Sequence, residues 1–188
     1  MENPIQAYFE QYPEFPYNPA EETMAQFWQL CSRKGWVRDT DERDEALGDI
    51  RDAIAQQFNA FYGSDAEDLN GWHSLYRALR ITEVPDSVPG CKALISTVHV
   101  NICDLVDYSL GGQHMAPVLH DSQEELAEYS RESGKIYPRE NAYAGGLLRF
   151  LLREIFGTYQ GRRREGASGR RGRGGRGGRR GRAGRQRQ

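Results

Sequence analysis

The sequence predicts an all-α fold: a single acidic domain of about six helices, with an aromatic arm before it and an arginine/glycine tail after it. Three observations carry that prediction. Apolar residues recur at i, i+3, i+4 and i+7 through most of the first 160 residues, the spacing of one helix face. No pair of alternating runs joined by a hairpin turn appears. The charge is also divided: residues 161–188 hold 12 Arg, no Lys and one acid, for a net +11, and residues 1–160 hold 13 bases against 26 acids, for −13. The overall −2 describes neither part. All 20 aromatic residues lie before residue 161, and 10 of the 21 glycines lie after residue 160.

Residues 1–18 form the arm. Tyr8, Phe9, Tyr12, Phe15 and Tyr17 alternate with Pro4, Pro13, Pro16 and Pro19. Proline at this density excludes a long helix and favours extended or turn geometry. The rings are expected to pack on the helical body, with a stacking platform for nucleobases as the alternative.

The helical domain occupies residues 19–160. Asn18-Pro19 carries a capping signal for the first helix, whose face is Met24, Phe27, Trp28 and Cys31, and Gly35 closes it. Acids near Thr40 and Asp41 open a second helix along Leu47, Ile50, Ile54, Phe58 and Phe61, ending at Gly63. A third follows Ser64, with Leu69, Trp72, Leu75, Tyr76 and Leu79 inward. Asp65, Glu67 and Asp68 read as acids at its start. Pro85-Asp86-Ser87 is a turn and cap for the longest continuous pattern, a helix over 88–109. Ser122 and Glu125 have capping-box spacing for a short helix ending at Gly134. The last helix is expected over 140–159, with Gly145-Gly146 near its start permitting close approach of another helix.

The composition excludes several function classes. No run approaches the roughly 18 apolar residues of a membrane span, so no membrane partner is expected. The N-terminus lacks the basic start and apolar stretch of a secretory signal. Cys31, Cys91 and Cys103 are odd in number and widely spaced, unlike a disulfide framework or zinc cluster. No Walker-type or GxGxxG loop is present in the body. His99, Cys103 and Asp107, at i, i+4 and i+8, would share a helix flank and are all zinc donors. Their separation of about 6 Å per step along the axis prevents one straight helix from closing a tetrahedron. A polar helix flank is therefore the expected reading. Cys103 is the thiol this pattern leaves less buried, but no orienting group for cysteine chemistry is identifiable. The expectation is a non-enzymatic protein with no cofactor.

Asn101, Asp104 and Asp107 interrupt the most apolar stretch, VNICDLVD. Structural hydrogen bonding is the first reading of such residues, and a protein-partner site is the second.

The tail carries the clearest functional signal. Arg173-Gly174-Gly175 and Arg176-Gly177-Gly178 are tandem RGG units. Glycine at this density makes ordering costly, so disorder is expected. Guanidinium bonds phosphate and guanine edges bidentately and stacks on bases, which lysine cannot do. The segment resembles the RGG regions of RNA-binding proteins, implying single-stranded RNA binding with low sequence preference. Arg170, Arg171, Arg173, Arg176, Arg179, Arg180 and Arg182 are the candidate contacts. Such arginines also resemble arginine methyltransferase substrates; methylation keeps charge but blocks bidentate bonding.

The segments FWQLCSRKGW, DLNGW, VPDSVPGCK, VNICDLVD and GGLLRFLLREIF, over residues 6–156, resemble an uncharacterised group of fungal helical proteins. That resemblance implies a fungal intracellular protein and no activity. The expected function is an RNA-associated adaptor in nuclear, nucleolar or cytoplasmic ribonucleoprotein assemblies, its body holding a protein partner. The alternative is a scaffold whose basic tail is only a localisation or condensate-association signal.

Overall fold

A computed structural model describes residues 3–111, 115–137 and 146–156, with side chains described to residue 152. The arginine/glycine segment, with its seven candidate arginines, lies outside the described residues. The described chain is all-α apart from one pair of two-residue strands. Its helices are α1 (Pro4–Glu10), α2 (Thr23–Lys34), α3 (Asp41–Tyr62), α4 (Leu69–Ala78), α5 (Val88–Ile95), α6 (Ile102–Leu110), α7 (Gln123–Glu132) and α8 (Leu148–Phe156). Strands β1 (His99–Val100) and β2 (Leu119–His120) pair antiparallel, with His99 opposite His120 and Val100 opposite Leu119.

Helix α3 is the centre, in contact with α1, α4, α6 and α8. Its buried stripe is Ala46, Ile50, Ala53, Ile54, Phe58 and Tyr62, close to the periodic face read from sequence. Trp72 and Tyr76 of α4 are fully buried, and each finds a backbone acceptor: Trp72 Nε1 donates to Ala66 O at 2.9 Å and Tyr76 Oη to Cys91 O at 2.6 Å. Buried aromatics with polar tips need such partners.

The arm's rings pack as expected. Tyr8, Phe9 and Phe15 are buried in the main core, and Phe9 stacks between Phe15 and Tyr17. The backbone has the expected turn and irregular geometry over residues 11–18 but forms a short helix over Pro4–Glu10, where extended or turn geometry is expected. Asn3 caps the Gln6 N–H at 3.0 Å and Pro4 occupies the first helical turn, where proline needs no hydrogen-bond acceptor. The gap before Pro13 is long enough for the short α1.

Three further expectations are corrected. Asn18-Pro19 opens a turn rather than a helix: Asn18 Oδ1 accepts from Ala20 N at 3.1 Å, and α2 begins at Thr23. Asp65 and Asp68 do cap backbone N–H groups, of Glu67 and Asn70, but α4 begins only at Leu69. The helix expected over 88–109 is two helices joined by β1. Ser96 and Thr97 donate their hydroxyls to the carbonyls of Ala93 and Leu94 at 2.6 and 2.8 Å, competing with helix propagation. Val98 and Val100 then extend the chain, and Asn101 starts α6 afresh.

The last helix also begins later than expected. Gly146 has φ +57° and precedes α8, and a Cβ there would collide with the Ser64 carbonyl. The close approach expected of this glycine is therefore to the loop after α3. Residues 140–145 and 157–159 of that expected helix lie outside the described residues. At the other end of the body, Ser122 accepts from the Glu125 N–H at 3.2 Å while Glu125 Oε2 accepts from Asp121 N at 2.9 Å, close to the predicted capping box. No described helix is long and apolar enough to cross a membrane.

Candidate functional site

The residues that interrupt the apolar stretch converge on one place. Asn101 is the N-cap of α6, its Oδ1 accepting from Cys103 N at 3.0 Å. Its Nδ2 donates to Ser130 Oγ at 2.9 Å and to Lys135 O at 3.0 Å. One amide thus starts α6 and ties it to α7 and the loop beyond. Its role in the described structure is the first of the two sequence readings, structural bonding.

Asp104 and Asp107 lie one turn apart on α6. Asp104 accepts Tyr129 Oη on Oδ2 at 2.7 Å and Lys135 Nζ on Oδ1 at 2.6 Å. The Lys135 ammonium also lies 3.0 Å from Glu22 Oε1. Asp107, 2% exposed, accepts the Thr23 N–H at 3.2 and 3.3 Å and the Thr23 hydroxyl at 2.5 Å. It thereby caps α2, whose own N-cap residue, Glu22, makes no side-chain cap.

These carboxylates border a cavity of about 260 Å³ between the start of α2, α6 and α7. Glu22, Asp104, Asp107 and Tyr129 form its polar side; Met115, Ala116, Pro117 and Val118 form its apolar side. Met115 is 88% exposed and Val118 59% exposed at its rim. The His120 ring lies 5.0 Å from the Tyr129 ring, centroid to centroid, and its Nδ1 3.8 Å from Glu125 Oε1.

The electrostatics follow from burial and carboxylate density. Lys135 is 4% exposed. Burial lowers its pKa, but the hydrogen bond and charge of Asp104, with Glu22, outweigh this and hold it above the ordinary lysine range. It is a charged ammonium at neutral pH. Tyr129 is pushed up by burial and by donating to Asp104. Tyr17 is pushed up to about 12 by burial, with the Asp107 charge adding to it.

The zinc-donor arrangement along one helix flank does not form. His99 sits on β1, whereas Cys103 and Asp107 are buried on α6. Among the described residues no group of three His, Cys, Asp or Glu side chains is placed to hold a metal ion. Cys103 is as deeply buried as the other thiols rather than less so, and burial pushes all three thiol pKa values up. Thiolate chemistry requires the opposite shift.

Sequence reasoning placed Asn101, Asp104 and Asp107 together but missed Glu22, Tyr129, Lys135 and the 115–118 wall. Their signal is tertiary. Lys135 follows a helix-ending glycine and reads as an ordinary surface base until α6 supplies its partner.

Comparison with known protein families, curated proteins and solved structures finds no match to this chain.

Proposed function

We propose that this protein is a non-enzymatic, RNA-associated adaptor. The arginine/glycine segment binds single-stranded RNA with little sequence preference, and the helical body holds a protein or peptide ligand at the acidic cavity. The carrying observation is the division of charge: 12 Arg without one Lys in residues 161–188, against −13 in the first 160. Arginine alone combines phosphate bonding with base stacking. An acidic body repels nucleic acid, so RNA affinity belongs to the tail. The cavity supports the second half of the reading, since Glu22, Asp104 and the exposed Met115 and Val118 are presented together.

The test titrates a single-stranded RNA oligomer with the full chain and with a variant in which the seven candidate arginines are glutamine. Loss of at least about tenfold in affinity is expected, because each neutralised phosphate releases counterions. Equal affinity of the two chains overturns the assignment.

A further inference from the structure

We infer that the acidic cavity is a guanidinium site and that, until a protein ligand displaces it, its occupant is an arginine of the chain's own 161–188 segment. The consequence for RNA rests on the proposed role of that segment, while the docking itself does not.

The cavity wall selects the chemistry. A long side chain with an apolar stem and a cationic planar head needs a site that is greasy on one side and acidic on the other. Here Met115, Pro117 and Val118 face Glu22 and Asp104 across about 260 Å³. A phosphate would meet carboxylates. A hydrated metal ion has no use for the apolar wall. Asp104 has acceptor capacity left, because an ionised carboxylate offers about four lone-pair sites and Lys135 and Tyr129 occupy one on each oxygen. The Glu22 carboxylate, 52% exposed, meets Lys135 through Oε1 and can turn its other oxygen to a second cation. Asp107 is engaged by Thr23 and serves as a fixed charge in the wall.

Chain connectivity selects the occupant. Helix α8 ends its described course at Phe156 and packs against α7, the helix that carries Tyr129 to the cavity. The remaining 32 residues, 157–188, hold all 12 tail arginines. A glycine-rich coil of that length has an end-to-end distance on the order of 30 Å, enough to return across the body. Such tethering gives an effective concentration in the millimolar range, which suits a weak pocket filled by any of several equivalent arginines. The cavity and RNA then compete for the same guanidinium groups, and the body restrains its own tail.

The experiment uses the full chain and reads backbone amide signals of Glu22, Thr23, Asp104 and Tyr129 by NMR. Replacing all 12 tail arginines by glutamine is expected to shift these signals selectively, and replacing them by lysine to lose most of the same contact although charge is kept. Adding a single-stranded oligouridylate to the unaltered chain is expected to move the signals toward the glutamine variant. Glu22→Gln, at a half-exposed position that leaves the Asp104–Lys135 pair intact, is expected to tighten oligouridylate binding about two- to fivefold, the fold-change of one exposed ion pair. Identical signals with and without the tail arginines overturn the docking. Selective shifts in a chain that fails to bind the oligomer support the docking and overturn the RNA reading instead. Shifts that vanish on dilution overturn the intramolecular assignment in favour of a second copy's tail.

Discussion

Asp107 performs for α2 what the sequence around α2 does not. A helix start leaves N–H groups without partners, and Glu22 supplies no side-chain cap. Asp107 reaches from α6 to accept both the Thr23 N–H and its hydroxyl, so one carboxylate satisfies a helix end and joins two elements distant in sequence. Asp107→Asn is expected to cost about 1–2 kcal/mol, through the lost charge at the helix dipole, and Asp107→Ala about 2–3 kcal/mol, through the lost cap. Urea unfolding of the two variants measures both values, and a ranking in the opposite order would contradict this role. The same carboxylate contributes to the raised pKa of Tyr17, for which burial is the larger cause. Burial likewise pushes Tyr62 up to about 12. A tyrosine raised in the folded state holds its proton more tightly folded than unfolded. Its contribution is fully present below the ordinary tyrosine range near pH 10 and is lost as pH rises through the folded value. Stability is therefore expected to fall between about pH 10 and 12, with little dependence on these groups between pH 6 and 9. Unfolding midpoints across that series check it.

At the scale of elements, two joints hold the body together in ways that local sequence conceals. Gly71 lies inside α4, where glycine is unfavourable, because a Cβ there would meet the Tyr62 carbonyl at the end of α3. Gly71→Ala is expected to destabilise by about 2–4 kcal/mol despite its better helix propensity, and a gain in thermal midpoint would refute the close-approach argument. Asn101 is the second joint, and Asn101→Ala should cost about 2–3 kcal/mol by removing the α6 cap and leaving the Lys135 carbonyl without that donor. Helices α2, α3 and α7 were legible because their apolar stripes and stop signals agree: Gly35, Gly63 and Gly134 each have positive φ next to or just beyond a helix end. The break after Ile95 was hidden because its apolar spacing continues through it. The signals that decide it are Ser96 and Thr97 bonding back to the helix and Asn101 acting as a cap, and all three can equally sit on a helix flank. The β1–β2 pair was illegible for a simpler reason, since two-residue strands have no period to detect. Of the cavity, the α6 residues were visible as polar interruptions. Glu22 and Lys135 were not, because their roles depend on contacts made across 31 or more residues of chain.

For the whole molecule the opposed charges of body and tail make salt a diagnostic variable. If the seven candidate arginines each neutralise one phosphate of a single strand, log affinity falls against log salt with a slope near −5. Salt would also weaken the proposed ion pairs between the tail and Glu22 or Asp104, because the screening length shortens from about 30 Å at 0.01 M to 10 Å at 0.1 M. The two effects oppose each other in the full chain. On the proposed docking, the body competes for the arginines most strongly at low salt, and as salt rises that competition fades together with the proposed RNA binding. The log–log plot of the intact chain is therefore expected to be shallower at low salt than at high salt. Glu22→Gln should straighten it by weakening the competitor alone, while the arginine-to-glutamine variant should flatten it throughout. Fluorescence anisotropy of a labelled oligouridylate over a salt series measures all three curves. Superimposable plots for the intact chain and Glu22→Gln would show that the acidic cavity exerts no hold on the tail, while a common steep slope would leave RNA binding by the arginines in place.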